Sequence, residues 1–87
     1  MKQFETEKIK IHPENPYLKV HVNIPEDMNR LRDFTESLTS VNHTNITENR
    51  AGTRDSLTVY PMKTFSIEEV KRDIDMNLSN YFQNKGA

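Results

Sequence analysis

Two arginines at the tip of a predicted hairpin are the first residues that could bind a ligand. Arg50 and Arg54 lie in the stretch "NRAGTRD" with Gly52, one of only two glycines in the chain. Paired guanidinium groups can clamp a phosphate or a carboxylate through bidentate hydrogen bonds. The simpler interpretation is that Gly52 supplies the positive φ of a turn, while the arginines are solvated or pair with Glu48 and Asp55. We favour this second interpretation, because charged side chains are common at hairpin tips.

A second group of polar side chains is predicted to share the solvent-facing side of a sheet. Its members are Lys10, Lys19, His21, His43, Asn45, Thr58 and Tyr60. The predicted strand registers place Lys10 opposite Lys19 and His43 opposite Tyr60. Two like charges directly opposed destabilise a sheet slightly, which favours an anionic partner. RNA-binding sheets carry two or three stacking rings, whereas this side is predicted to offer only Tyr60.

Other kinds of chemistry find little support in the residue types. The three histidines, His12, His21 and His43, are predicted on three different strands at different heights, so we expect no metal site. There is no cysteine, which excludes thiolate nucleophiles, disulfides and zinc-thiolate sites. The sequence has no nucleophile elbow and no glycine-rich phosphate loop. We therefore predict neither a catalytic residue nor a cofactor.

Length and composition indicate one small globular domain. The chain has 87 residues, of which 33% are hydrophobic and 29% charged, with a net charge of −1. We expect one domain over 6–83 with flexible ends at 1–5 and 84–87. The balanced charge gives no general attraction to nucleic acid or acidic membranes. Charges interrupt the first residues, and no apolar run approaches ~20 residues, so we expect a cytoplasmic protein that does not enter the membrane.

Six elements are needed to position these side chains. Alternating apolar residues and helical periodicity predict strands over 6–12, 17–24, 43–49 and 55–62, and helices over 25–39 and 67–83. Pairing residue 12 with residue 17 would bury Ile9 opposite Val20 and Ile11 opposite Leu18. Pairing Ile46 with Leu57 would leave "NRAGTR" as a hairpin loop. Val41 and Ile46 have opposite parity, so Val41 either anchors the chain before the strand or precedes a bulge.

The second helix carries the strongest local signal. Ser66 and Glu69 form a capping box, and Phe65 with Val70 can form a hydrophobic staple. Its predicted apolar stripe consists of Ile67, Val70, Ile74, Leu78 (or Asn77) and Tyr81. In the first helix, Pro25 is expected in the first turn.

The order of the elements, ββαββα, predicts an α+β domain with one four-stranded antiparallel or mixed sheet. From residue 17 onward it follows the ferredoxin-like pattern without its last strand. The N-terminal strand can fill that edge position, so the predicted spatial order is 6–12, 17–24, 55–62, 43–49. Both helices are expected on one side of the sheet, which makes this a permuted ferredoxin-like arrangement.

The stretch 17–83 resembles small ferredoxin-like families, such as ACT regulatory domains and heavy-metal-associated domains. The resemblance lies in the order of elements and in phrases such as "NITENRAGTRDSLTVYP". It implies the fold. Heavy-metal-associated domains carry a two-cysteine loop between the first strand and the first helix, and ACT domains usually carry a glycine there. This chain reads "NIPEDMN" at that position, so the functional motifs of both families are absent.

These observations favour a non-enzymatic binding or interaction module with a regulatory or accessory role. The expected partner is a second copy of the chain, as a homodimer, or else another protein or a small ligand. The expected contact surface is the open side of the sheet or a strand edge. The alternative is a nucleic-acid-associated protein or a small toxin-type nuclease. That alternative would use Arg50, Arg54, Lys10 and Lys19, with His21 or His43 as general base.

Overall fold

The computed structural model describes residues 3–11, 14–47 and 55–85, with side chains as far as residue 83. Its elements are β1 (Phe4–Ile9), β2 (Tyr17–Val22), α1 (Met28–Glu36), β3 (Val41–Thr47), β4 (Ser56–Pro61) and α2 (Ile67–Lys85). The strands form one sheet in the order β1-β2-β4-β3, and each neighbouring pair is antiparallel. The predicted α+β class, the ββαββα order and the strand order are confirmed.

The core lies between the sheet and the two helices. Leu18, Val20 and Val22 of β2 alternate with outward residues, as strand geometry requires, and Leu57 and Val59 of β4 do the same. The central strands bury their apolar residues against the apolar residues of both helices in one cluster. Both helices therefore lie on the same side of the sheet, as in the ferredoxin-like arrangement.

Helix α2 begins at its predicted capping box. The Ser66 N–H donates to Glu69 Oε1 (3.0 Å), and the Glu69 N–H donates to Ser66 Oγ (3.1 Å). Fully buried residues then recur at every fourth position, at Val70, Ile74, Leu78 and Phe82. The predicted stripe ends at Tyr81, which is only half-buried, so Phe82 is a core residue that the sequence interpretation missed.

Helix α1 is shorter than predicted. Asp27, instead of occupying the first turn after Pro25, is the N-cap: its carboxylate accepts from the N–H groups of Asn29 (3.1 Å) and Arg30 (3.3 Å). An aspartate side chain can satisfy these exposed donors where Pro25 offers no side-chain acceptor. The helix consequently starts at Met28 and ends at Glu36.

A bulge in β3 resolves the parity conflict of that strand. The register with β4 shifts between Val41, opposite Pro61, and His43, opposite Tyr60. The shift lets Val41 and Ile46 both turn towards the helices, with Val41 buried and Ile46 half-buried. The predicted pairings of Ile46 with Leu57 and His43 with Tyr60 are confirmed.

The register of β1 differs from the prediction by an odd number of residues, which exchanges its two sides. Ile9 lies opposite Tyr17 and Phe4 opposite Val22, whereas the predicted register placed Ile9 opposite Val20. Phe4, predicted within a flexible end, instead begins the strand and stacks on Phe82, with ring centroids 5.5 Å apart. Ile11 lies beyond the strand and is 75% exposed. Burying a phenylalanine ring against Phe82 removes more apolar area from water than burying an isoleucine.

Candidate functional site

One side of the sheet is not covered by either helix, and we call it the open face. It consists of the outward residues of the four strands, namely Glu5, Glu7, Ile9, Tyr17, Lys19, His21, His43, Asn45, Thr47, Ser56, Thr58 and Tyr60. Cross-strand pairing arranges them in three rows that run across the sheet. The rows decide which of these side chains can act together.

The first row carries three rings, which we call the aromatic ridge: Tyr17, Tyr60 and His43. Tyr60 on β4 stands between the other two. Its ring centroid lies 4.4 Å from that of His43, with an angle of 19° between the planes, and 5.8 Å from that of Tyr17, at 40°. Both tyrosines are half-buried and His43 is exposed. Tyr17 was not among the sequence-predicted site residues, although its parity with Lys19 and His21 already placed it on their side of β2.

The second and third rows are polar and carry charges of both signs. Glu7 lies opposite Lys19, and Lys19 lies opposite Thr58. Glu7 Oε1 also lies 3.2 Å from Nε2 of His21, whose side chain is 21% exposed. Lys19 and His21 of β2 therefore each have an acidic neighbour on β1.

Lys10 is not part of the open face, and its predicted opposition to Lys19 is wrong. The altered register of β1 places Glu7 opposite Lys19. Lys10 Nζ donates instead to Glu68 Oε1 (3.2 Å) at the start of α2. Hydrogen bonds to Glu68, first from its own backbone N–H and then from Lys10, lower the pKa of that carboxyl. The like-charge argument for an anionic partner therefore no longer applies.

The remaining predicted site residues divide into two groups. Lys19, His21, His43 and Tyr60 lie on the open face, as predicted. Arg50 and Arg54 lie outside the described residues, as does His12, so the proposed anion clamp stays a prediction. Within 3–11, 14–47 and 55–85, no three histidine or acidic side chains converge as metal ligands would.

The outer edge of β3 is partly occupied by a side chain of the same chain. Glu36, the last residue of α1, accepts hydrogen bonds from the Thr44 hydroxyl (2.7 Å) and from the Thr44 N–H (3.1 Å). These bonds, the hydroxyl bond foremost, hold the pKa of Glu36 below its usual range. A carboxylate on an edge N–H opposes the pairing of another strand at that point.

Tyr81 occupies the other side of the domain, between the helices. Its hydroxyl donates to Glu26 Oε2 (2.9 Å), and its ring packs on Phe34 with centroids 4.8 Å apart. Burial first, and then the hydrogen bond to Glu26, raise the pKa of Tyr81 to about 12. Since the phenol stays protonated and bonded at neutral pH, we assign this contact to the packing of α2.

Comparisons with protein-family models, with curated proteins and with solved structures found no match. The resemblance to ACT and heavy-metal-associated domains therefore stays a prediction. Among the described residues, neither helix is long and apolar enough to cross a membrane.

Proposed function

We propose that this protein is a non-enzymatic interaction module that binds a protein surface through its open face. Its first partner is a second copy of the chain, giving a homodimer. The aromatic ridge is the observation that supports this proposal: three rings stand in one row on a side of the sheet that neither helix covers. Tyrosine is enriched at protein interfaces because it combines a large apolar ring with a polar hydroxyl. A cytoplasmic location belongs to the same proposal.

The orientation of the rings favours a protein surface over nucleic-acid bases. Bases bind to sheets by stacking on ring faces. In the ridge, the face of Tyr60 towards β3 is covered by His43, and the side towards β2 is occupied by Tyr17. The central ring therefore presents its edge to the solvent, where a complementary protein surface can pack on it.

The charges of the open face also favour a protein partner over a nucleic acid. Among the described residues of the open face, Lys19 is the only lysine or arginine, and Glu5 and Glu7 add two negative charges. Phosphate contacts by lysine and arginine supply most of non-specific nucleic-acid affinity. The described part of this surface offers too few of them for a phosphate backbone.

The size of the open face sets the expected strength of association. Four strands ~4.8 Å apart and six residues long give a surface of roughly 20 by 20 Å, or about 400 Å². A stable interface buries about 800 Å² per partner. We therefore expect a weak homodimer that dissociates on dilution, with a Kd in the micromolar range or above.

The strand edges are less suitable than the open face for contact with a second copy of the chain. Glu36 already occupies the Thr44 N–H on the edge of β3. The edge of β1 carries Glu5 and Glu7, which would repel the same residues of a second copy. Among the surfaces predicted from the sequence, the open face is thus favoured for self-association.

Sedimentation velocity over a concentration series tests the proposal. We expect the weight-average sedimentation coefficient of the wild type to rise with concentration, and that of a Tyr17→Ser/Tyr60→Ser variant to stay at the monomer value. Met76→Ser is the matched control, because Met76 is an exposed apolar residue (60%) on α2. It should associate like the wild type. A wild type that stays monomeric, or a double variant that associates equally well, would contradict the homodimer.

The second candidate function is a small nuclease, and the pairing of Glu7 with His21 favours it. A carboxylate 3.2 Å from an imidazole nitrogen can orient that ring as a general base. Cleavage of a labelled single-stranded RNA, with His21→Ala and Glu7→Gln as variants, tests this reading. Cleavage that both variants abolish would support it. Absence of cleavage, or activity that survives in both variants, would exclude it.

A further inference from the structure

A groove runs between the outer edge of β1 and helix α2. One wall is formed by β1, and the other by a polar stripe of α2 that consists of Lys71, Asp75, Ser79 and Gln83. The groove has a volume of about 640 Å³. Volumes of ~300–1,000 Å³ are typical of ligand-binding clefts. Thr6 Oγ1 donates to Asp75 Oδ1 (2.7 Å), which joins the two walls. Within α2, Lys71 Nζ lies 2.7 Å from Asp75 Oδ2.

The backbone of β1 presents hydrogen-bonding groups to this groove. The Asn23 N–H donates to the Gln3 carbonyl oxygen (2.8 Å), which continues the ladder between β1 and β2. In an antiparallel ladder, successive residues point their main-chain groups alternately towards the neighbouring strand and away from it. The N–H and C=O groups of Phe4, Thr6 and Lys8 therefore point away from β2. Among the described strands, none pairs with this edge of β1.

The side chains of β1 make this edge unsuitable for a second copy of the chain. Two-fold pairing of β1 with itself keeps open-face residues opposite open-face residues. Two registers pair most of the strand in this way. In one of them Glu5 lies opposite Glu7 of the second copy, and in the other Glu7 lies opposite Glu7 of the second copy. Directly opposed like charges destabilise a sheet. A segment with basic residues at these positions would instead be attracted to Glu5 and Glu7.

We propose that this groove binds an extended basic segment of another protein as a fifth strand of the sheet. Lysine or arginine at alternate positions of the segment would lie opposite Glu5 and Glu7. The residues between them would face Asp75 and Ser79 of α2, where small hydroxyl side chains fit the polar wall. Main-chain hydrogen bonds to Phe4, Thr6 and Lys8 would supply affinity, and the alternating charges would supply specificity. This site is separate from the aromatic ridge and does not depend on it.

Titration with a capped peptide that alternates threonine and lysine tests the proposal, with a threonine–glutamate peptide as the matched control. Two-dimensional ¹H–¹⁵N NMR should show saturable shifts in β1 and along the polar stripe of α2. Amide exchange should slow at Phe4, Thr6 and Lys8, whereas the Glu5 and Glu7 amides already belong to the ladder with β2. The threonine–glutamate peptide should not bind.

Charge reversal gives the second test. A Glu5→Lys/Glu7→Lys variant should bind the threonine–lysine peptide about tenfold more weakly, or not at all, and should gain binding of the threonine–glutamate peptide. The Tyr17→Ser/Tyr60→Ser variant should bind the threonine–lysine peptide like the wild type, which separates this site from the proposed dimer surface. Equal binding of both peptides, shifts on the open face away from β1, or unchanged exchange at Phe4, Thr6 and Lys8 would overturn the proposal.

Discussion

Two possible registers of β1, the one in the structure and the one predicted from the sequence, bury different apolar side chains. The register can therefore be tested by removing one apolar side chain that each register buries. In the structure, Phe4 packs against the core and stacks on the fully buried Phe82, while Ile11 is 75% exposed. In the register predicted from the sequence, Ile11 would be buried opposite Leu18. Phe4→Ala and Ile11→Ala should therefore differ strongly, and the direction of the difference identifies the register.

The expected magnitudes follow from burial. Replacing a fully buried phenylalanine with alanine costs ~3–5 kcal/mol. Phe4 is half-buried, so we expect Phe4→Ala to lower the free energy of unfolding by about 2–3 kcal/mol, including the lost ring stacking. Ile11→Ala should change it by less than ~0.5 kcal/mol, as surface substitutions usually do. A domain of this size has a stability of roughly 4–13 kcal/mol, so the Phe4→Ala variant should still fold.

Urea unfolding followed by far-ultraviolet circular dichroism measures both variants. We expect a lower midpoint for Phe4→Ala with an unchanged slope, and a Tm lower by roughly 10–20 °C. The Ile11→Ala curve should superimpose on that of the wild type. A larger loss for Ile11→Ala than for Phe4→Ala would refute the register and restore the alternative pairing.

Three further substitutions test individual contacts. Ser66→Ala removes the acceptor of the Glu69 N–H at the start of α2, and should lower the free energy of unfolding by about 1 kcal/mol; an unchanged urea midpoint would show that the capping box contributes nothing. Because the Thr44 hydrogen bonds lower the pKa of Glu36 in the folded state, its stabilisation is present above the unfolded-state pKa and disappears as the pH falls through the folded-state pKa. The stability difference between the wild type and Glu36→Gln should accordingly be largest near neutral pH and shrink in acid, and a difference independent of pH would contradict this. The pKa of Tyr81 is raised to about 12, so its stabilisation is present below the ordinary tyrosine range and is lost as the pH rises towards 12. Absorbance titration at alkaline pH should show a late phenol step in the wild type that Tyr81→Phe lacks, and a late step that persists in the variant would contradict the assignment.

Local signals predicted the central strands and α2 from the sequence. Alternation over Leu18, Val20 and Val22 has only one strand interpretation when one side of the sheet is buried. The capping box of Ser66 and Glu69 satisfies backbone donors wherever it occurs, so the start of α2 needed no tertiary information. The hairpin register of β3 and β4 followed from the same parity argument.

The register of β1 depends on contacts between residues far apart in the sequence. The N-terminal strand offers two apolar sets, with Ile9 and Ile11 on one side and Phe4 on the other. Stacking on Phe82 favours the second set, but Phe82 lies 78 positions away along the chain (82 − 4). In the resulting register of β1, Lys10 contacts Glu68 of α2 instead of lying opposite Lys19. Glu7 then lies beside Lys19 and His21. A local pattern does not contain that information.

The aromatic ridge was partly predictable. His43 and Tyr60 were placed together correctly by parity and by the β3–β4 register. Tyr17 was missed because the alternation was followed only from Leu18 onward, although the predicted strand over 17–24 includes Tyr17. Counting back by two from His21 through Lys19 reaches Tyr17, so the alternation itself could have added the third ring.

A dilution series followed by ¹H–¹⁵N NMR tests the central claim, that the open face is the contact surface, most directly. Between high and low protein concentration, we expect shifts that follow one binding curve at Tyr17, His43 and Tyr60 and at their neighbours in the sheet. Residues on the outer surface of α2, such as Met76, should not shift. Spectra that do not depend on concentration, or shifts confined to the helices, would contradict the claim.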